Sequence, residues 1–403
     1  MADGRASAQP GLWNTLRAAA LTATLFLAAC ASGPRIVPEA ERPAPVDRPA
    51  PPVVRPIQPG LPQDVERHRI ALLVPLSGPN AGVGRSLQNA TQLAVLDTKS
   101  DVLRITTYDT GTAGGASAAA QQAIADGNRL ILGPLLAEEA REVAPIARRA
   151  RVPVLSFSND AGVAGNGTFI LGYVPAQSIE RVVNHAARSG ITDFAGLVPS
   201  GLYGERASTA LLRSVEDAGG KVLVLETYDG RPGSLTSAMA KIGRSPFQAI
   251  LLAGSADGAV TAVPLVRRSA GGKTARLLGT ELWNTDSGIG SRAALNGAWF
   301  ASVPDNYYRQ YATKYRARFG TAPYRMSTLG YDAVLLTVRI ARDWRPGAEF
   351  PAARLTEPEG FAGLDGAFRF GRDGVADRAL EVQEIRSGTT VTVSPAPPNF
   401  KGN

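Results

Sequence analysis

The chain has 403 residues, a formal net charge of +8, 44% hydrophobic residues, one cysteine and two histidines. A lone cysteine can form neither an internal disulfide nor a C-x-x-C metal or redox pair, and His68 and His185 are too few for a His-based triad or a metal cluster. No G-x-S-x-G, H-E-x-x-H or G-x-x-x-x-G-K-[ST] stretch occurs, so the composition speaks for a non-enzyme that needs no metal or cofactor.

In chain order, Arg5 and Arg17 precede an apolar segment, residues 18–29, that is too short to span a bilayer. This is the layout of a bacterial export signal over residues 1–29. Its end, Leu27-Ala28-Ala29-Cys30, resembles a lipobox, which implies a mature chain lipidated at Cys30 and held on a membrane of the cell envelope. Ala31 follows where an aspartate would be the usual inner-membrane retention signal, which favours the outer membrane. An envelope address removes nucleic acid as a partner.

Residues 30–68 read as a tether. The 38 residues after Cys30 hold ten prolines and few bulky apolar side chains, so they bury no core and favour extended polyproline II. At ~3.1 Å per residue such a tether reaches on the order of 100 Å.

From Arg69 the pattern changes to short apolar strands alternating with amphipathic segments. "HRIALLVPL", "VLRITTYD", "NRLILGP" and "VPVLSFS" form a first series of strands, and "DFAGLVPS", "KVLVLETYD", "FQAILLAGS", "ARLLGT" and "AWFAS" a second. Such alternation predicts an α/β fold with parallel sheets flanked by helices. Its length exceeds one comfortable core, so two lobes are expected. In residues 306–319, Tyr308, Tyr311, Tyr315 and Phe319 recur at helical spacing and read as a core stripe.

The stretches 71–94, 130–160, 202–208 and 327–337 resemble the type I periplasmic binding proteins, the leucine and branched-chain amino-acid binding group, over most of residues 69–390. The resemblance implies a two-lobed fold with three hinge crossovers and a ligand cleft between the lobes. Lobe one would take about 69–173 and 303–364, lobe two about 174–302 and 365–390, with 391–403 left as a flexible tail. A ligand in an open α/β sheet sits at the carboxyl ends of the strands. That directs attention to the loops at 77–82, 133–137, 156–160, 200–204, 254–257 and 280–286.

Within those loops the resemblance picks out Ser77, Ser156, Ser158, Asn159, Asp160, Tyr203, Glu281 and Trp283 as cleft candidates. Tyr203 resembles the family's ligand-facing tyrosine, Glu281 the acid that pairs with a ligand ammonium, and Trp283 would supply a stacking surface. Leu136 and Ala137 stand where the amino-acid binders carry hydroxyls for the ligand carboxylate, and Asp160 would repel that carboxylate. The lipobox, the tether and this altered pocket favour a second resemblance, to the C-terminal domain of the lipoprotein activators of penicillin-binding proteins. The partner would then be a peptidoglycan synthase reached across the periplasm. The alternative is a receptor that delivers an amino acid or related small solute to the permease of an ABC transporter.

Overall fold

The computed structural model describes residues 67–400. Strands β1 (His68–Val74), β2 (Leu103–Asp109), β3 (Leu130–Leu132), β4 (Val154–Ser156) and β5 (Thr168–Ile170) form a parallel sheet in the order β2-β1-β3-β4-β5. β1 carries apolar residues on both faces because helices cover both sides of it. Those helices are α1 (Ala81–Thr98), α2 (Gly115–Ala125) and α3 (Ala137–Arg149).

The chain then crosses to a second lobe through α4 (Pro175–Arg188), which opens with proline at a position where its missing N–H costs nothing. There β6 (Asp193–Pro199), β7 (Lys221–Tyr228), β8 (Ala249–Leu252), β9 (Arg276–Gly279) and β10 (Trp299–Ser302) repeat the first arrangement, as β7-β6-β8-β9-β10. Helices α5 (Leu202–Asp217), α6 (Ser234–Ile242) and α7 (Ala256–Arg268) connect them.

A second crossing returns the chain to lobe one as α8 (Tyr308–Phe319) and α9 (Thr328–Ala341). The stripe Tyr308, Tyr311, Tyr315 and Phe319 turns inward as expected, with Tyr311 and Tyr315 fully buried. α9 packs against α1 closely enough that a Cβ on Gly330 would lie 2.9 Å from the Leu87 carbonyl oxygen. Leu87, Leu93, Leu329 and Val334 bury at this contact, each worth about 1.5–3 kcal/mol.

Strands β11 (Phe361–Gly363), β12 (Gly366–Phe370) and β13 (Ala376–Arg378) form a small antiparallel sheet. Phe368 and Phe370 of β12 belong to the core of lobe one, and the Ile170 N–H donates to Gly374 O from the end of β5. The third crossing therefore falls after Arg378, later than the expected boundary at 364–365. β14 (Glu381–Arg386) and β15 (Thr389–Ser394) then add to lobe two, antiparallel, on the edge of β10.

Two further expectations change at the ends of the domain. His68, assigned to the tether, is the first residue of β1, buried and stacked 3.9 Å from Trp344. Residues 391–394, assigned to a flexible tail, complete β15, and Arg181 holds the segment beyond by bonding Ser394 Oγ and the Pro395 carbonyl. Phe400 is buried with Ala367 and Ala379, under the Arg369 guanidinium.

Candidate functional site

Between the lobes lies a cavity of about 410 Å³, at the carboxyl ends of both sets of parallel strands. That volume falls in the range of small-molecule sites, about 300–1,000 Å³. Much of its wall is apolar: Leu135, Leu136 and Phe157 on lobe one face Leu202 and Leu282 on lobe two. Leu136 and Ala137 do line it, so no hydroxyl stands at that point of lobe one.

The loop after β4 is set by serine-to-backbone bonds. Ser156 Oγ donates to Pro134 O at 3.0 Å and accepts from the Ser158 N–H at 3.2 Å. Ser158 Oγ accepts from the Asp160 N–H at 3.1 Å, and Asp160 Oδ1 accepts from the Gly162 N–H at 3.0 Å. Both serines are thus spent on fixing the loop and lie buried away from the cavity, a correction to their expected place in the cleft. What the ladder delivers to the cavity is Asn159 and Asp160.

Asp160, 3% exposed, is clamped between two guanidiniums. Arg141 of α3 bonds Oδ2 from within lobe one, and Arg206 of α5 reaches across from lobe two, its Nε 3.1 Å from Oδ1. The Arg206 guanidinium lies on Gly162, where a Cβ would meet Nη2 at 2.5 Å. The acid expected to repel a ligand carboxylate is instead neutralised and ties the lobes together at the cleft.

On lobe two, Gly201 at φ +91° and a Gly204 pressed against the Pro199 carbonyl shape the tight entry to α5. This entry turns Tyr203 and, three residues on, Arg206 toward the cavity. Glu281 follows β9 in a 3₁₀ turn, Glu281–Thr285. Ser178 Oγ donates to its Oε2 at 2.5 Å, and the Tyr203 hydroxyl lies 3.2 Å from Oε1 and 2.8 Å from Thr280 Oγ1. Burial pushes the Glu281 carboxyl up to about 7, against the opposing effect of these hydrogen bonds. Burial, and then the Glu281 charge, raises the Tyr203 phenol well above its usual range.

Asn159, Asp160, Tyr203 and Glu281 thus line one cavity. Two other candidates do not join them. Trp283 points away into the core of lobe two, fully buried under Gly279, where a Cβ would meet the indole at 2.3 Å. Ser77 is exposed and lies outside the lining, with its hydroxyl beside Asp109 and Gly111. Sequence reasoning missed Arg206, Asn80 and Tyr173, which line the cavity. Arg206 had one available signal, its three-residue spacing from Tyr203 on the same helix face.

A family model described as periplasmic binding protein matches residues 68–390, and the chain belongs to that family. It is therefore a binding protein of the periplasmic type and not an enzyme. Among solved structures, a putative branched-chain amino acid ABC transporter protein of Rhodospirillum rubrum aligns with a TM-score of 0.71 at 20% identity, over 81% of this chain and 100% of that one. A branched-chain amino acid ABC transporter periplasmic ligand-binding protein of Burkholderia xenovorans gives 0.70 at 16%, over 82% and 96%. A solute-binding protein of R. palustris, solved in complex with benzoate, gives 0.63 at 17%, over 83% and 97%. These identities speak for the fold. One curated relative, an uncharacterized protein of Rickettsia prowazekii, is 24% identical over 176 residues, 44% of this chain and 47% of its own length. The chain spans about half the length of that relative.

Among the described residues no group of His, Cys, Asp and Glu is placed to hold a metal, and no helix is long and apolar enough to cross a membrane. The export signal, Cys30 and most of the tether lie outside the described residues.

Proposed function

We propose that the chain is a lipid-anchored periplasmic receptor that captures a small solute between its lobes and presents it to an ABC-transporter permease. The observation that carries this is Glu281, a buried carboxylate held by two hydroxyls and without a cationic partner, at the wall of an otherwise largely apolar cavity. Neutral hydroxyls satisfy its oxygens but leave its charge unbalanced, and a buried carboxylate in that state gains from a cation. The solute is therefore an amine with an apolar body. The membership of the family and the transporter solute-binding proteins among its structural likenesses support the reading.

A second reading, activation of a penicillin-binding protein across the periplasm, draws on Asp160. The clamp of Arg141 and Arg206 occupies the region where the amino-acid binders hold a carboxylate, and Cys30 with its proline-rich tether supplies an anchor and reach. In that case the cleft is a regulatory or remnant site and the working surface lies on the outside of the lobes.

Thermal unfolding of the full-length chain against aliphatic and aromatic amines, amino acids and muropeptides separates the two. A ligand at 100 times its dissociation constant adds ~2.7 kcal/mol, a shift of several degrees. A shift with an amine that disappears in Glu281→Ala supports the receptor. No shift with any solute, together with in-cell crosslinking to a peptidoglycan synthase, supports the activator. Cys30→Ala is expected to move the protein from the membrane to the soluble fraction, and unchanged partition would remove the anchor from both readings.

A further inference from the structure

The hinge buries two arginines whose guanidiniums keep N–H groups without an acceptor. Arg325, 6% exposed, donates from Nη1 to Asp365 Oδ1 at 2.7 Å and meets Asp305 Oδ1 from Nη2 at 3.1 Å, while its Nε finds no acceptor. Arg378, at the end of β13, is 5% exposed and worse served. Its Nη2 donates to the Leu171 carbonyl, its guanidinium lies 5.0 Å over the Tyr173 ring, and Nε and Nη1 have no partner.

The nearby acids are already committed. Asp365 accepts from Arg325, from the Tyr173 hydroxyl at 2.5 Å and from Thr328 at 2.8 Å. Asp332 accepts from the Leu364 amide at 2.7 Å, and burial followed by the Asp365 charge pushes its carboxyl up to about 7. Asp365 and Asp332 both feel the Arg378 charge, yet buried N–H groups without an acceptor are costly enough that a further acceptor is expected beside them.

A separate cavity of about 20 Å³ lies beside these two arginines, behind the cleft wall formed by Tyr173 and Glu281. Roughly 10–15 Å³ of such space admits one water-sized guest. The cavity thus takes a monatomic ion and excludes any carboxylate or phosphate. Its unpartnered groups, Arg325 Nε and Arg378 Nε and Nη1, are all donors. A water would bring two hydrogens of its own to that set, whereas a halide brings none. Glu281 also borders the space, but its two oxygens are engaged by the Ser178 and Tyr203 hydroxyls of its own lobe.

We propose that this cavity is a binding site for a single halide, chloride under ordinary conditions, held by Arg378 and Arg325. Arg325 and Arg378 belong to lobe one, while Gln177, Asn284 and Ser302 complete the wall from lobe two. The ion is thus a contact between the lobes, at the point about which they turn.

Two measurements test it. In the first, the full-length chain is melted at constant ionic strength while chloride replaces gluconate. The wild type is expected to gain several degrees with chloride and with bromide, and Arg378→Gln is expected to lose that dependence. Equal melting of the wild type in the two salts overturns the site, as does an undiminished chloride effect in Arg378→Gln. In the second, which needs no variant, wild-type crystals are grown in bromide. An anomalous peak between the two guanidiniums supports the proposal, and density there without anomalous signal identifies a water and overturns it.

Discussion

Glu281 carries the plainest residue-level consequence of the site. Its carboxyl stands at about 7 in the folded chain against 4.5 for the free side chain. Below pH 4.5 both states hold the proton. Between the two values the folded chain keeps a proton that the unfolded chain releases, so stability falls as pH rises, by about 3 kcal/mol in total, and stays lowered above pH 7. Glu281→Gln keeps an acceptor for Ser178 and removes the charge. Its melting temperature is expected to match the wild type near pH 4 and to exceed it at pH 8. A constant difference across that range would show that the carboxyl does not titrate in this window. The family resemblance, joined to the rule that ligands sit at strand ends, made Tyr203, Glu281, Asn159 and Asp160 legible, but it could not tell them from Ser156 and Ser158, whose hydroxyls the loop itself consumes. Trp283 was misread because a 3₁₀ turn of five residues rotates neighbours to opposite sides, sending Glu281 to the cavity and Trp283 to the core. The pairing of Arg206 with Asp160 joins positions 46 residues apart and in different lobes, and no local pattern announces it.

At the level of elements the two lobes repeat one device. In each, a Val-Pro pair stands at the end of the first strand of the lobe's parallel sheet, Val74-Pro75 and Val198-Pro199, and a glycine early in the next helix presses against that proline's carbonyl. A Cβ on Gly84 would lie 1.7 Å from Pro75 O, and on Gly204 1.6 Å from Pro199 O. The contact brings the start of each helix onto its strand end and so aims α1 and α5 at the cleft. Gly204→Ala is expected to cost at least about 2 kcal/mol, because backbone must move to admit the methyl group. It should also weaken solute binding, since Tyr203 and Arg206 ride on the same turn. Urea unfolding beside a binding titration checks both, and a variant of unchanged stability would mean that the strand end yields. Strand and helix types were legible from apolar runs and helical spacing. The third crossing was not, because short strands such as β12 bury Phe368 and Phe370 equally well in either lobe until tertiary contacts decide.

For the whole molecule, the Arg206–Asp160 pair is a latch across the cleft. Arg206 is about half exposed, and Asp160 keeps Arg141 as a second partner, so the pair's worth to global stability is small, about 1 kcal/mol or less. Its effect should appear in shape. Arg206→Ala is expected to raise the radius of gyration in small-angle scattering while barely moving the melting temperature; an unchanged scattering curve would assign closure to the apolar walls instead. The three crossings bear on a different property, the order in which a chain emerging from the ribosome can bury its surface. Lobe one begins first, yet its core waits for α8, α9 and β12, which are made only after the parallel strands of lobe two are complete. Lobe two in turn leaves β10 an open edge until β14 arrives. The half that starts first thus has to stay soluble through the synthesis of nearly the whole of the other, with unpaired apolar surface exposed to aggregation meanwhile.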